Sequence, residues 1–301
     1  MESRTAPTAL RATRSFDPVA LAAAVATIIV WGASFTAIRI ALTSLTPTEI
    51  AAARYVAAAI PAAIFLAVTR AALPSRGEFV RLAVISLLYV GGYAILLNTG
   101  QKTVSAGAAS FIINTSPVMI AIMAVVMLGE RFGLLSWGGA LLSLGGIGLI
   151  AFGDGDEFSF ELGALLVFGA AFCTSLASIL QKPLLGPYPA LTLTAWILVL
   201  GAVPLLPALP GSVASLSAAS AEVVVAVAVL AVFCTAVGYV TWAIVLKRMA
   251  AGRAASFLNC IPPTATAIGF LWLGELPTLI GLIGGGLALA GVAIVNAARG
   301  R

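Results

Sequence analysis

Asn114 and Pro117 stand three residues apart in one apolar stretch, Ser105 to Glu130, and Asn259 and Pro262 stand three apart in another, Ala250 to Glu275. A carboxamide both donates and accepts hydrogen bonds, so it can hold a zwitterionic solute without a fixed charge. A proline has no amide hydrogen and strips the carbonyl four residues earlier of its helical partner. That carbonyl belongs to Ile113 in the first stretch and to Leu258 in the second, where Pro263 also frees Asn259. In hydrocarbon, bare polar groups persist only against protein or a wet cavity. One such break reads as a kink sealed by neighbouring helices. Two in matching places favour a solute site near the middle of a membrane, where the half-helix starting at each proline turns its positive dipole end toward an anionic group.

The other polar candidates at that depth are Ser34, Asn98, Ser178 and Gln181, for which an interhelical hydrogen bond is the competing role. Aromatic residues come in spaced pairs. Tyr89 and Tyr93 are four apart, Tyr239 and Trp242 are three apart, and Gly92-Tyr93 recurs as Gly238-Tyr239. Either spacing puts both rings on one helix face, as an apolar pocket for large neutral or aromatic amino acids requires; interfacial anchoring is the alternative. Ionisable residues are few. Glu49 and Glu222 fall at helix starts, Arg39 falls near a membrane face, and Arg54 lies two turns into a segment, where a pairing with Glu49 gives it a mainly structural role. No carboxylate occupies the centre of a span, so facilitated transport is expected rather than proton antiport driven by buried acids. The chain has no histidine, and Cys173, Cys234 and Cys260 lack metal-ligand spacing and read as small packing residues. No cofactor, no metal and no enzymatic activity are expected.

The elements that position these residues follow from composition. Hydrophobic residues make up 61% of the 301 and charged residues 9%, with a mean hydropathy of +1.12. Soluble domains carry about 25% charge. Ten apolar segments reach spanning length, at 18–41, 47–70, 78–98, 104–128, 133–152, 160–181, 189–208, 221–245, 252–273 and 277–297. Thr46 to Glu49 and Ser75 to Glu78 are capping boxes that open the second and third. Pro204, Pro207 and Pro210 are expected to end the seventh. Gly138, Gly139, Gly145 and Gly146 in the fifth, and Gly281, Gly284, Gly285 and Gly291 in the tenth, allow close helix packing.

A shift of about 145 positions pairs Gly107 with Gly252, Asn114 with Asn259, Pro117 with Pro262 and Glu130 with Glu275. The fold class expected is therefore an all-α integral membrane protein, ten transmembrane helices in two five-helix repeats. Five is odd, so the repeats are inserted with inverted topology. The divisions are a tail at 1–17, a first repeat at 18–153, an acidic extracytoplasmic linker at 154–160 and a second repeat at 161–298. Lysine and arginine gather in the tails and the even-numbered loops, which puts both termini in the cytoplasm. The basic balance marks orientation in a lipid bilayer and not nucleic-acid binding. The oligomeric state is left open, monomer included.

Trp31-Gly32-Ala33-Ser34-Phe35 leading to Arg39, then Arg54-Tyr55, then the Gly-Glu pairs that close segments four and nine, resemble the EamA domain of the drug/metabolite transporter superfamily, in two tandem copies over nearly the whole chain. Among its members the chain looks most like the YddG-type amino-acid exporters of the bacterial inner membrane. The resemblance implies export of small metabolites, often amino acids, by alternating access, through a cavity lined by segments one, three, four, six, eight and nine. The second repeat departs from the opening motif, with Ser175, Ser178, Gln181 and Lys182 in place of the Trp-Gly pair, so an asymmetric cavity is expected. Nucleotide-sugar or phosphate-ester antiport would want several cavity lysines or arginines, where only Arg39 and Arg54 are candidates. Drug export is a further alternative, and an intramembrane enzyme lacks its acid and base.

Overall fold

The computed structural model describes residues 17–104, 106–153, 162–273 and 279–298. The tail before Asp17, the linker 154–160 and Glu275 lie outside the described residues. Among the described residues the chain is helical throughout: α1 (Pro18–Ala41), α2 (Pro47–Val68), α3 (Arg76–Gly100), α4 (Ala106–Ile113), α5 (Ser116–Leu128), α6 (Leu134–Gly153), α7 (Leu162–Leu185), α8 (Ala190–Ala218), α9 (Ala221–Arg248), α10 (Ala251–Ser256), α11 (Ile261–Leu273) and α12 (Leu279–Ala297). Six of these, α1, α2, α3, α7, α8 and α9, are long and apolar enough to cross a membrane.

Local chemistry sets the ends. Thr46 accepts from the Glu49 amide while Glu49 reaches back to the Thr46 amide at 2.8 Å, and Ser75 and Glu78 repeat the arrangement. Asp17 caps α1 through the Val19 and Ala20 amides and accepts from Arg248 Nη1 at 2.6 Å, which holds its carboxyl below the ordinary value. Pro204, Pro207 and Pro210 do not end the seventh segment. The chain tightens to a 3₁₀ turn over Val203–Ala208 and stays helical to Ala218. Prolines three apart match the period of that turn, so their missing donors share one side of it. Ser212 then fastens the extension, donating to Ala208 O at 3.0 Å and Glu49 O at 2.9 Å.

Two departures from α geometry were not legible. A π-helical stretch, Leu87–Gly92, interrupts α3, and another, Leu230–Val237, interrupts α9. They occupy matching places in the two halves. Such insertions rotate the following side chains and are frequent at functional sites.

The fifth and tenth segments, α6 and α12, pack on each other. A Cβ on Gly139 would sit 2.8 Å from Gly291 O, and one on Gly146 would sit 2.5 Å from Gly284 O. Between them Ser143 Oγ donates to Ala288 O at 2.9 Å. Numbers rise along one helix as they fall along the other, so the two run antiparallel. The shift that equates the two copies turns the Gly139–Gly291 contact into Gly284–Gly146. The same reciprocity holds elsewhere. α1 packs on α9 as α7 packs on α3, and α5 packs on α7 as α11 packs on α1.

Candidate functional site

The fourth segment breaks at Asn114-Thr115, between α4 and α5. The Ile113 carbonyl that Pro117 deprives of an amide takes the Ser116 hydroxyl instead, and Asn114 Nδ2 donates to Ser110 O at 2.7 Å. The ninth breaks through a 3₁₀ turn, Phe257–Cys260, with Pro262 and Pro263 in the first turn of α11. Against these breaks lies a cavity of about 40 Å³. Its walls are Trp31, Ser34 and Phe35 of α1, Arg54 of α2, Tyr93 of α3, Ile113, Asn114, Ser116, Pro117 and Ile120 of the fourth segment, Thr174 and Ser178 of α7, Tyr239 and Trp242 of α9, and Leu258 and Ile261 of the ninth. At roughly 10–15 Å³ for each water, this volume holds about three waters and no amino acid.

Of the residues singled out from sequence, the structure brings Ser34, Tyr93, Asn114, Pro117, Ser178, Tyr239 and Trp242 to the cavity wall. Tyr89, Gln181, Asn259, Pro262 and Pro263 are not on it. Tyr89 and Gln181 stand behind the wall: the Tyr89 hydroxyl donates to Gln181 Oε1 at 3.1 Å and lies 2.8 Å from Ser178 Oγ, which accepts from Trp242 Nε1 at 3.2 Å. Tyr89→Phe leaves the buried Gln181 oxygen without this donor, so the expected loss is about 1–3 kcal/mol of stability, read as a lower melting temperature of the detergent-purified protein. Asn259 is 1% exposed and its side-chain oxygen has no hydrogen-bond partner. Asn98 serves packing, donating to Pro47 O at 3.1 Å.

The matched π stretches supply acceptors. Cys234 O takes Trp31 Nε1 at 3.0 Å. In the first stretch Tyr89 O lies 3.3 Å from both the Tyr55 and Tyr239 hydroxyls, which are themselves 2.8 Å apart. Trp31 and Tyr239 thereby each reach a carbonyl of the opposite half of the chain. Trp31 reaches its position because residue 238 is glycine: a Cβ there would collide with the indole nitrogen. The Trp31 ring then sits 6.1 Å from Tyr239 and 5.9 Å from Trp242, an aromatic wall.

Sequence reasoning missed Trp31 and gave Arg54 a partner, Glu49, that it does not have. Arg54 makes no pair with Glu49, which is held in its capping box. It is 3% exposed, donates from Nε to the Thr235 hydroxyl in the second π stretch, and lies 5.0 Å over the Tyr55 ring.

The model of the EamA-like transporter family matches residues 18–152 and again 161–297. The chain belongs to the EamA-like transporter family. It is 34% identical over 266 residues to the uncharacterized transporter YdfC of Bacillus subtilis, covering 87% of this chain and 86% of that one. It is 30% identical to a probable terminal-alkyne amino-acid exporter of Streptantibioticus cattleyicolor, covering 91% and 92%. A probable amino-acid metabolite efflux pump of Escherichia coli shares 26% over 89% and 91%. One solved crystal structure superposes with a TM-score of 0.75 at 17% identity, over 94% of this chain and 99% of its own, and shows a shared fold. This EamA-like protein is a multi-pass membrane transporter.

Proposed function

We propose that this EamA-like protein exports amino acids, large neutral or aromatic ones first, across a bacterial inner membrane without ATP. Ten spans form two inverted five-helix repeats that rock about the central cavity, with both termini cytoplasmic. The antiparallel pairing of α6 with α12, at positions the repeat shift equates, supports the inverted arrangement. The observation that carries the reading is the cavity itself. It lies between the halves, beside the break of the fourth segment, and combines aromatic faces with the hydroxyls of Ser34 and Ser178 and the carboxamide of Asn114. Apolar walls with a few placed polar groups suit a solute of this class, and two of the relatives above are named for amino-acid export. Substrate loading requires the cavity to widen, which the breaks and π stretches permit because their backbone is not locked into one continuous hydrogen-bond ladder.

No Asp or Glu is among the cavity's wall residues, so facilitated passage is proposed. The experiment is uptake of a panel of labelled amino acids by proteoliposomes, with and without a pH gradient. Leucine, phenylalanine and tryptophan should enter at rates the gradient changes less than twofold. Asn114→Ala should lower phenylalanine uptake about tenfold, the scale of one lost hydrogen bond to a charged group at ~1.5 kcal/mol, and Asn259→Ala, off the wall, should lower it less. Wild-type vesicles that take up none of the panel would remove the proposal.

A further inference from the structure

We infer that Arg54 is the anchor for a substrate carboxylate, so that the transported molecules are those bearing one carboxylate beside an apolar or aromatic body. This rests on the exporter reading and narrows it. Arg54 is the one charged side chain among the buried described residues. Two ion pairs, Lys182 with Glu130 and Arg248 with Asp17, involve none of the cavity's wall residues. Thr235 occupies Nε and passes its own proton to Leu230 O at 2.8 Å. A guanidinium has five N–H donors and does not deprotonate in proteins. Among the described residues no carbonyl or carboxylate accepts from its two terminal nitrogens, and the Arg54 side chain forms part of the cavity wall.

An isolated buried charge is costly unless an opposite charge and hydrogen bonds meet it. An ionisable group at this depth is a functional group by default. The planar fork that remains matches a carboxylate through two parallel hydrogen bonds. The Thr235 hydroxyl at Nε and the Tyr55 ring 5.0 Å from Cζ restrict where the guanidinium can sit. Trp31, Tyr93 and Tyr239 share the wall with Arg54, and aromatic rings can take an ammonium group or an aromatic side chain. A single cation is suited to one carboxylate and is too little for a diphosphate.

The test is competition against labelled L-phenylalanine uptake in proteoliposomes. The competitors are unlabelled 3-phenylpropionate, which keeps the carboxylate and lacks the ammonium, and L-phenylalaninamide, which lacks the carboxylate. With the wild type, phenylpropionate should compete within about tenfold of phenylalanine and the amide at least tenfold more weakly than phenylpropionate. Arg54→Gln should cut phenylalanine uptake at least tenfold and abolish the preference for acid over amide. Arg54→Lys, which keeps the charge and loses the fork, should restore part of both. Gel filtration and melting temperature establish that each variant is folded, and the wild-type competition series decides the matter even where Arg54→Gln is not. An amide that competes as well as the acid in the wild type, or a folded Arg54→Gln protein with rate and preference unchanged, overturns the anchor and leaves the exporter standing. Absence of any wild-type uptake removes both.

Discussion

Gly146→Ala lowers the stability of the purified protein by about 3 kcal/mol, while Gly145→Ala, one residue away, leaves it unchanged or raises it. A methyl carbon on Gly146 would lie 2.5 Å from Gly284 O, 2.6 Å from Ala288 N and 2.9 Å from the Leu287 side chain. Two of those three atoms are backbone of α12, so no rotamer change relieves the overlap and the helices must part along the whole seam. Separation would also pull Ser143 Oγ from Ala288 O. Overpacking costs about 1–3 kcal/mol, and a backbone obstacle puts this case at the upper end. Gly145 has nothing within 4 Å of its would-be methyl. Alanine there removes the conformational freedom that makes glycine about 1 kcal/mol worse than alanine in a helix. Thermal unfolding in detergent reads the difference, and two variants melting together would show that the seam is not load-carrying at Gly146.

The same residues show what can and cannot be read from composition and spacing. The breaks at Asn114 and at Asn259 were legible because proline and asparagine recur at one fixed shift, and proline alone among the standard residues lacks a backbone donor. The capping boxes were legible because their chemistry is local. The π stretches were not. No residue type at Leu87–Gly92 or Leu230–Val237 forbids α geometry; the extra residue per turn is held by acceptors' partners, Trp31, Tyr55 and Tyr239, that arrive from distant parts of the chain. The pairing of Arg54 with Glu49 failed for a reason the sequence did contain. Five residues separate Arg54 from Glu49, and at 3.6 residues per turn that sets the two side chains about 140° apart around α2. They face different neighbours, and Arg54 faces the cavity. Trp31 carried a weaker signal, a large aromatic at the middle of a span. Its use as a wall depended on Gly238, more than two hundred positions later.

Glu130→Gln shifts the protein at least tenfold toward a form open at the end where α5, α7, α9 and α10 meet. Gly129 ends α5 in a left-handed turn at φ 66°, and the Glu130 amide closes back on Ala124 O at 3.1 Å. That turn aims the Glu130 carboxylate at the start of α10, where it accepts from the Ala251 and Gly252 amides at 2.8 and 3.2 Å. Lys182 Nζ stands 3.5 Å away and donates to Leu246 O and Met249 O at the end of α9. One carboxylate thus gathers elements of both halves, which gives the Gly-Glu pair a physical purpose. Hydrogen bonds to a charged group contribute about 1.5–3 kcal/mol; the carboxylate is partly exposed, so the lower value applies, and ~1.4 kcal/mol is a factor of ten. A glutamine keeps one carbonyl for one amide and loses the charge that Lys182 and the helix start both favour. The readout is the labelling rate of Ser178→Cys by a membrane-impermeant maleimide, in a protein with Cys173, Cys234 and Cys260 replaced by alanine. Lys182→Met should raise that rate too, and the double variant should fall short of the product of the two, because both act on one contact. Equal labelling rates in Glu130→Gln and its parent would mean that the cluster packs the helices together without governing access to the cavity.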